Sequence, residues 1–161
     1  MAEQSRGKKF ENRFREDWIK SFPKSFILRL QDQVSGYKYT SRNPCDFICY
    51  ANRTLFLIEC KSHSGNTFPL TNFTQYVIMK SYSNIDNIIA GIVLWMYDHD
   101  VVVFIPIEEI TKMKQADLKS FNIKMLNTNN YNIIKIPSKK LRTFMESDYS
   151  ILLKGEDNES N

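Results

Sequence analysis

Apolar positions recur along the chain with two different periods, and the change from one to the other marks the predicted elements. Near the N-terminus, Phe10, Phe14 and Trp18 are spaced four residues apart, which places them on one face of a helix over 7–20. Other segments are short apolar runs rich in β-branched and aromatic residues, and these predict strands over 25–30, 45–50, 54–61, 88–97 and 101–105. Helices and strands are therefore interspersed, as in an α/β domain with a mixed central sheet.

The segments between and after these elements carry further signals. A second helix over 71–83 is predicted by four apolar side chains: Phe73, Tyr76, Val77 and Met79. A tight turn is expected at 51–53, and Pro106 is suited to the first turn of a short helix. Beyond it the pattern weakens, and we predict an edge strand over 131–136 and a helix over 138–145.

The composition is that of an ordinary folded domain. Of the 161 residues, 42% are hydrophobic and 25% are charged, which excludes a mostly disordered chain. We assign residues 1–154 to a single domain. The last seven residues, 155–161, carry three acids and no apolar side chain, so we predict that they form a disordered acidic tail.

The hydropathy pattern also bears on location. The longest apolar stretch, over 88–97, has about ten residues, whereas a membrane-spanning helix needs about 20. The N-terminal sequence has no apolar signal-peptide core. We therefore expect a cytoplasmic protein without a membrane partner.

Positive charge is concentrated near the N-terminus. Residues 1–42 contain ten Lys or Arg against five acids, a surplus of +5 that exceeds the +4 of the whole chain. Such a segment permits a polyanionic partner such as DNA, or serves only as a solubilising face. The candidate DNA contacts within it are Arg6, Lys8, Lys9, Arg13 and Arg42.

One pair of short motifs carries chemistry. Asn43-Pro44-Cys45-Asp46 is followed, after twelve residues, by Glu59-Cys60-Lys61 near the end of a predicted strand. Alternate side chains of a strand share a face, so Glu59 and Lys61 point the same way. Burying such charges is costly unless they are paired or bind a metal.

A hairpin between the two strands brings Asp46 beside Glu59. Two neighbouring carboxylates repel each other, and a divalent cation relieves the repulsion. Hard oxygen ligands suit Mg²⁺, with Mn²⁺ as a substitute. Lys61 is placed to orient or deprotonate a water molecule and to stabilise charge on a phosphate.

The same residues resemble the PD-(D/E)xK nuclease signature, in which a Pro-Asp turn precedes Glu-x-Lys on the neighbouring strand. Here one residue, Cys45, separates the proline from Asp46. The resemblance implies a restriction-endonuclease-like core, with a mixed sheet flanked by helices.

Two further segments resemble one branch of these nucleases, the RecU-type Holliday junction resolvases of Gram-positive bacteria and their phages. The segment 6–11, Arg-Gly-Lys-Lys-Phe-Glu, is similar to the Arg-Gly-x-x-x-Glu opening of that family. The run Phe-Pro-Leu-Thr-Asn-Phe-Thr-Gln over 68–75 is similar to its Phe-Pro-Leu-x-Asn-Phe-x-x-x-Gln segment, with Gln75 slightly nearer to the second phenylalanine than in the family. The family has a long stalk between the positions that match Leu30 and Asp46, where this chain has about fifteen residues.

The resemblance implies a Mg²⁺-dependent endodeoxyribonuclease that resolves four-way DNA junctions by paired nicks, as a homodimer, in a bacterium or in the host cytoplasm of a phage. It implies metal ligation by Asp46 and Glu59, and catalytic roles for Glu11, Asp46, Glu59, Lys61 and Gln75. Branched DNA is the implied partner.

Alternative interpretations stay open at this point. The same fold serves restriction and repair endonucleases, and it can also carry a DNA-binding protein without catalytic activity. Glu11 is alternatively an ordinary surface residue of the first helix, and Gln75 is alternatively a side chain that faces solvent.

Overall fold

The computed structural model of the protein describes residues 2–31 and 42–154, without the side chains of residues 2–4. Within these ranges the helices are α1 (Ala2–Ser21), α2 (Tyr76–Tyr82) and α3 (Ile107–Gln115). The strands are β1 (Phe26–Arg29), β2 (Phe47–Ala51), β3 (Thr54–His63), β4 (Thr67–Pro69), β5 (Ile88–Met96), β6 (Val101–Pro106), β7 (Ser120–Asn122), β8 (Ile134–Lys135), β9 (Ser138–Lys140) and β10 (Met145–Ser147).

Six of the strands form one sheet in the order β1-β2-β3-β5-β6-β8. Strands β3 and β5 are parallel, and every other neighbouring pair in this sheet is antiparallel. The parallel pair requires a crossover, which runs through β4 and α2. Two small antiparallel pairs, β4 with β7 and β9 with β10, lie outside the main sheet.

A hydrophobic core lies on each face of the sheet. On one face α1 buries Phe10, Phe14 and Trp18 against alternate residues of the strands, among them Phe56 and Ile58. On the other face α2 and α3 bury Met79, Ile107, Ile110 and Met113 against the intervening strand residues. From Leu55 to Ile58, strand β3 is apolar on both faces because it lies between these two cores. The predicted fold class, α/β with a mixed sheet flanked by helices, is confirmed.

Most predicted elements are present, with shifted ends. The first helix, the five main strands, the turn at 51–53 and the helix after Pro106 all form. The predicted edge strand over 131–136 is reduced to β8, which pairs with β6 at the edge of the sheet.

The predicted second helix begins five residues later than expected, at Tyr76. A short 3₁₀ turn, Leu70–Asn72, precedes it. With this turn in place, Leu70 and Phe73 are both buried in the core on the α2 side. Tertiary burial therefore decided where the helix starts.

The predicted helix over 138–145 is wrong. This segment forms the β9–β10 hairpin, in which Met145 pairs with Lys140 and Ser147 with Ser138. The hairpin is held against α1 because the backbone N–H of Ser147 donates to Asp17 Oδ2 at 2.9 Å. That contact joins residues 130 positions apart, so the local pattern carried no sign of it.

Some expectations concern residues outside the described ranges. The predicted acidic tail over 155–161 and most of the connection between β1 and β2 belong to them. None of the helices in the described part of the chain has the length and hydrophobicity needed to cross a membrane.

Candidate active site

The β2–β3 hairpin places Asp46 next to Glu59. Its turn residues Asn52 and Arg53 have φ of 47° and 63°, the left-handed pair of a tight two-residue hairpin. This turn sets the register in which Phe47 faces Ile58. Asp46, one residue before Phe47, is held by three hydrogen bonds. Its N–H donates to the Ile58 carbonyl at 3.1 Å, its carbonyl accepts from the Leu30 N–H at 2.8 Å, and its Oδ2 accepts from the Cys60 N–H at 2.8 Å.

The Glu59 carboxylate is buried, with one oxygen paired and the other not. Only 1% of the residue is exposed. Its Oε1 lies 3.1 Å from Lys61 Nζ, and its Oε2 has no hydrogen-bond partner among the described residues. A buried carboxylate oxygen without a partner costs free energy, so Glu59 Oε2 marks a position where a bound ligand would be stabilising.

The electrostatics of the two acids follow from their burial. Burial raises the pKa of Asp46 above its usual value, and the nearby Glu11 charge adds to the rise, while the Cys60 N–H, Lys61 and Arg29 oppose it. Burial also raises the pKa of Glu59, and the charge of Asp46 raises it further against the effect of Lys61. The pair therefore favours a bound cation or shared protons over two free negative charges.

Glu11 belongs to the same group through an arginine. Its Oε2 accepts hydrogen bonds from Arg29 Nε at 2.8 Å and from Arg29 Nη2 at 2.6 Å. Helix α1 supplies the acid and the end of β1 supplies the base, and both side chains are half-buried. Arg29 also lowers the pKa of Asp46, so it contributes to the field at the acidic pair. The sequence carried no signal for this role beyond a positive charge at the end of a predicted strand.

A cleft of about 1080 Å³ opens over these residues. Helix α1 contributes Lys8 and Glu11 to it, β1 contributes Arg29, and β3 contributes the segment 60–63. The cleft is also lined by polar side chains that precede α2, namely Thr71, Asn72 and Thr74. Asp46 and Glu59 are adjacent to this cleft through Cys60 and Lys61, which line it. These three residues belong to the run over 68–75 that resembles the resolvase family, but only Gln75 of that run was assigned a role, because neutral residues in a turn give no charge signal.

The structure brings Asp46, Glu59, Lys61 and Glu11 together, but not Gln75. Gln75 is the residue before α2, and its Oε1 accepts a hydrogen bond from Thr74 Oγ1 at 3.0 Å. It is not among the residues that line the cleft, whereas Thr74 is.

The predicted DNA contacts lie in different surroundings. Lys8 is exposed and lines the cleft. Lys9 and Arg42 are exposed but do not line it. The Arg6 guanidinium stacks on the Tyr97 ring, 4.0 Å from its centroid.

Arg13 is occupied in an ion-pair network. Its Nη2 lies 2.9 Å from Asp17 Oδ1 and 3.0 Å from Glu146 Oε2. Asp17 is 1% exposed, so Arg13 compensates a charge that would otherwise be buried alone. This arrangement ties α1 to β10 and leaves Arg13 committed to the fold.

The donor set fits a hard divalent cation. Asp46 and Glu59 offer carboxylate oxygens, one of them the unpartnered Glu59 Oε2. Across the ranges that the structure describes, no group of three His, Cys, Asp or Glu side chains converges as a complete metal centre. Two carboxylates with the remaining positions filled by water and substrate oxygens is the usual way in which proteins bind Mg²⁺.

Comparisons with known proteins add little to the site. No family model matches the sequence, and no curated protein is similar to it. Among solved structures, the chain is similar to the Holliday junction resolvase Hjc of Archaeoglobus fulgidus, an archaeal hyperthermophile. The two share 19% sequence identity, the match covers 64% of this chain and 78% of the archaeal chain, and the TM-score is 0.48. The function must therefore be argued from the residues of the site.

Proposed function

We propose that this protein is a metal-dependent endodeoxyribonuclease that cuts four-way DNA junctions. The observation that carries the proposal is the grouping of Asp46, Glu59 and Lys61 beside an open cleft, with Glu59 Oε2 buried and without a hydrogen-bond partner among residues 2–31 and 42–154. A purely structural Glu59–Lys61 pair has no need of a second buried carboxylate beside it. A metal-dependent hydrolytic site of the PD-(D/E)xK kind, which these residues resemble, uses all three groups.

Each residue of the group has a role that follows from its position. Asp46 and Glu59 would hold Mg²⁺, which would supply charge neutralisation at the phosphate and an acidified water molecule. Lys61 Nζ, held by Glu59 and 30% exposed, orients the attacking water and stabilises negative charge on the phosphate. The Cys60 N–H donates a 2.8 Å hydrogen bond to Asp46 Oδ2 and so fixes the orientation of the Asp46 carboxylate.

The cleft is suited to a DNA backbone. Lys8, Arg29 and Lys61 provide positive charge, and the hydroxyl and amide groups of Thr71, Asn72 and Thr74 provide neutral hydrogen-bonding groups. Contacts of these types go mainly to phosphates, which position DNA without reading its sequence. Selection of a branched substrate rests on the sequence resemblance to the RecU-type resolvases.

We further propose that the active form is a homodimer. A four-way junction is resolved by two cuts, and the described chain contains a single Asp46–Glu59–Lys61 set. A two-fold dimer presents two such sites to one junction. A surface for self-association is available on β1 and β2, where Phe26, Leu28 and Tyr50 are exposed side by side: Phe26 is directly opposite Tyr50 in the register.

The central experiment is cleavage of a synthetic four-way junction and of a linear duplex with the same sequence, with Mg²⁺ and with EDTA. We expect Mg²⁺-dependent paired nicks in the junction only. Asp46→Asn and Glu59→Gln should abolish cutting while junction binding persists, because affinity comes from the basic and polar residues of the cleft. Equal cutting of the linear duplex would indicate another nuclease of this fold, and junction binding without any cutting would indicate a non-catalytic DNA-binding protein.

The dimer is tested separately by light scattering. The wild-type protein should have twice the mass of the chain, and Leu28→Glu should reduce it to a monomer by placing a charge in the apolar surface. The matched control is Lys24→Glu, which changes charge at an exposed position just before β1. A wild-type monomer at micromolar concentration would contradict the dimer without contradicting the nuclease.

A further inference from the structure

Strand β3 places a third functional side chain in line with Glu59 and Lys61. Alternate residues of a strand share a face, so His63, the last residue of β3, lies on the face of Glu59 and Lys61. Their partners on β5 confirm the alignment: Ile92, Leu94 and Met96 face them in the register, and all three belong to the core on the α2 side. His63 lines the same cleft as Lys61.

The ring of His63 is held in place by packing. It stands edge-to-face on Phe68, with 5.5 Å between ring centroids and an angle of 87° between planes. Phe68 is 1% exposed, so the surface that orients the imidazole is part of the core. Within the described residues, no hydrogen bond engages either ring nitrogen of His63. The other histidine, His99, differs, because its Nε2 is hydrogen-bonded to Asn66 Oδ1 at 2.8 Å.

We propose that His63 is a DNA-contacting residue that donates a hydrogen bond to the backbone phosphate next to the one that is cut. This inference rests on the proposed function, because it requires DNA in the cleft. An imidazole that is packed, half-buried and without a hydrogen-bond partner in the described part of the chain is a donor available to a ligand, and neutral imidazole always carries one N–H.

Strand geometry decides which phosphate His63 contacts. The rise of a strand places His63 about 6.6 Å beyond Lys61 and about 13 Å beyond Glu59. The second distance is too long for His63 to share the phosphate that Asp46 and Glu59 serve through a metal. In the proposed complex the DNA strand runs along β3, and the two-residue step from Lys61 to His63 corresponds to the step from one phosphate to the next. His63 therefore serves as a positioning contact and not as the acid or base of the reaction.

The test is junction binding in EDTA, where no cutting occurs, by wild type and three variants. His63→Phe keeps the ring on Phe68 but removes the donor, and it should weaken binding about three- to tenfold. His63→Gln restores a donor and should recover most of the loss. The matched control His99→Ala, at an exposed position outside the cleft, should bind like wild type.

The contact itself is located with junctions that carry one neutral methylphosphonate at successive backbone positions. One position should weaken wild-type binding and should have no further effect on His63→Phe. If His63→Phe binds as tightly as wild type, or if both proteins respond alike at every position, the inference is wrong while the proposed function stands. If wild type binds no junction at all, the proposed function and this inference are both wrong.

Discussion

Arg29 donates two hydrogen bonds, at 2.8 and 2.6 Å, to a single oxygen of Glu11. The pair joins α1 to the end of β1 at the edge of the cleft, and both residues influence the pKa of Asp46, in opposite directions. The sequence predicts Glu11 as a third carboxylate of the active site, and that role stays a prediction. Its pairing gives Glu11 a structural role, which is to hold Arg29 near Asp46.

This pairing predicts an energetic coupling between Glu11 and Arg29. Glu11→Gln, Arg29→Gln and the double variant, compared with wild type by urea unfolding, should give a coupling free energy of about 1 kcal/mol. The value is modest because both side chains are partly exposed. Strict additivity of the two single effects would show that the pair contributes nothing to stability. Arg29→Gln should also slow cutting under conditions in which the variant is fully folded, since it removes positive charge from the cleft.

The two buried acids predict that the stability of the protein falls as the pH rises, and that bound metal reduces this fall. Burial raises the folded-state pKa of Asp46 and Glu59 above the unfolded values of about 3.9 and 4.3. Between about pH 4 and the Glu59 value of about 7, the folded protein therefore binds more protons than the unfolded chain. Stability contributed by these groups is fully present below the unfolded pKa values and is lost as the pH rises through the folded ones, by on the order of 5 kcal/mol for the two acids together.

Thermal unfolding in EDTA between pH 4 and pH 8 measures this loss. The double variant Asp46→Asn/Glu59→Gln should lose less stability over the same range, because it has no such acids to ionise. Adding Mg²⁺ at pH 8 should raise the Tm of wild type and leave that of the double variant unchanged. A wild-type profile that is parallel to that of the variant, with no response to Mg²⁺, would contradict the assignment of the metal site.

Lys8 and Arg13 should differ in what their removal changes. Lys8 lines the cleft, so Lys8→Ala should reduce the salt dependence of junction affinity by about 0.9 in the slope of log K against log salt, as expected for one phosphate contact. Arg13→Met should leave the slope unchanged but destabilise the fold by about 2 kcal/mol, because Asp17 loses its ion-pair partner. The reverse result would show that Arg13, as the sequence suggested, contacts DNA.

Gly91, on the central strand β5, leaves no room for a side chain. A Cβ atom at this position would lie 2.4 Å from the Ile105 carbonyl oxygen and 2.7 Å from the Phe104 ring. Gly91→Ala should therefore destabilise the protein by about 3 kcal/mol, since backbone cannot move aside easily. The control is Gly7→Ala in α1, where a Cβ meets nothing within 4 Å. That substitution should stabilise the helix by about 0.5–1 kcal/mol, and urea unfolding of both variants compares them.

The sequence by itself determined the parts of this protein that depend on local periodicity. Alternation along β3 put Glu59 and Lys61 on one face, and the short turn after Ala51 made a hairpin that returns Asp46 to Glu59. The spacing of Phe10, Phe14 and Trp18 likewise specified the buried face of α1. These features need only the geometry of a strand, a turn or a helix, which neighbouring residues are sufficient to define.

Only the tertiary structure decided how charged side chains are paired across the fold. In the sequence, Arg13 and Lys8 are both basic residues of the first helix. In the structure, Arg13 forms ion pairs with the buried Asp17 and with Glu146 of the β9–β10 hairpin, whereas Lys8 lines the cleft. The segment 138–145 is part of a hairpin that is stabilised by the hydrogen bond from a backbone N–H of β10 to the Asp17 carboxylate on α1. The free energy of a buried charge depends on whatever distant residue is packed against it, and no local pattern records that neighbour.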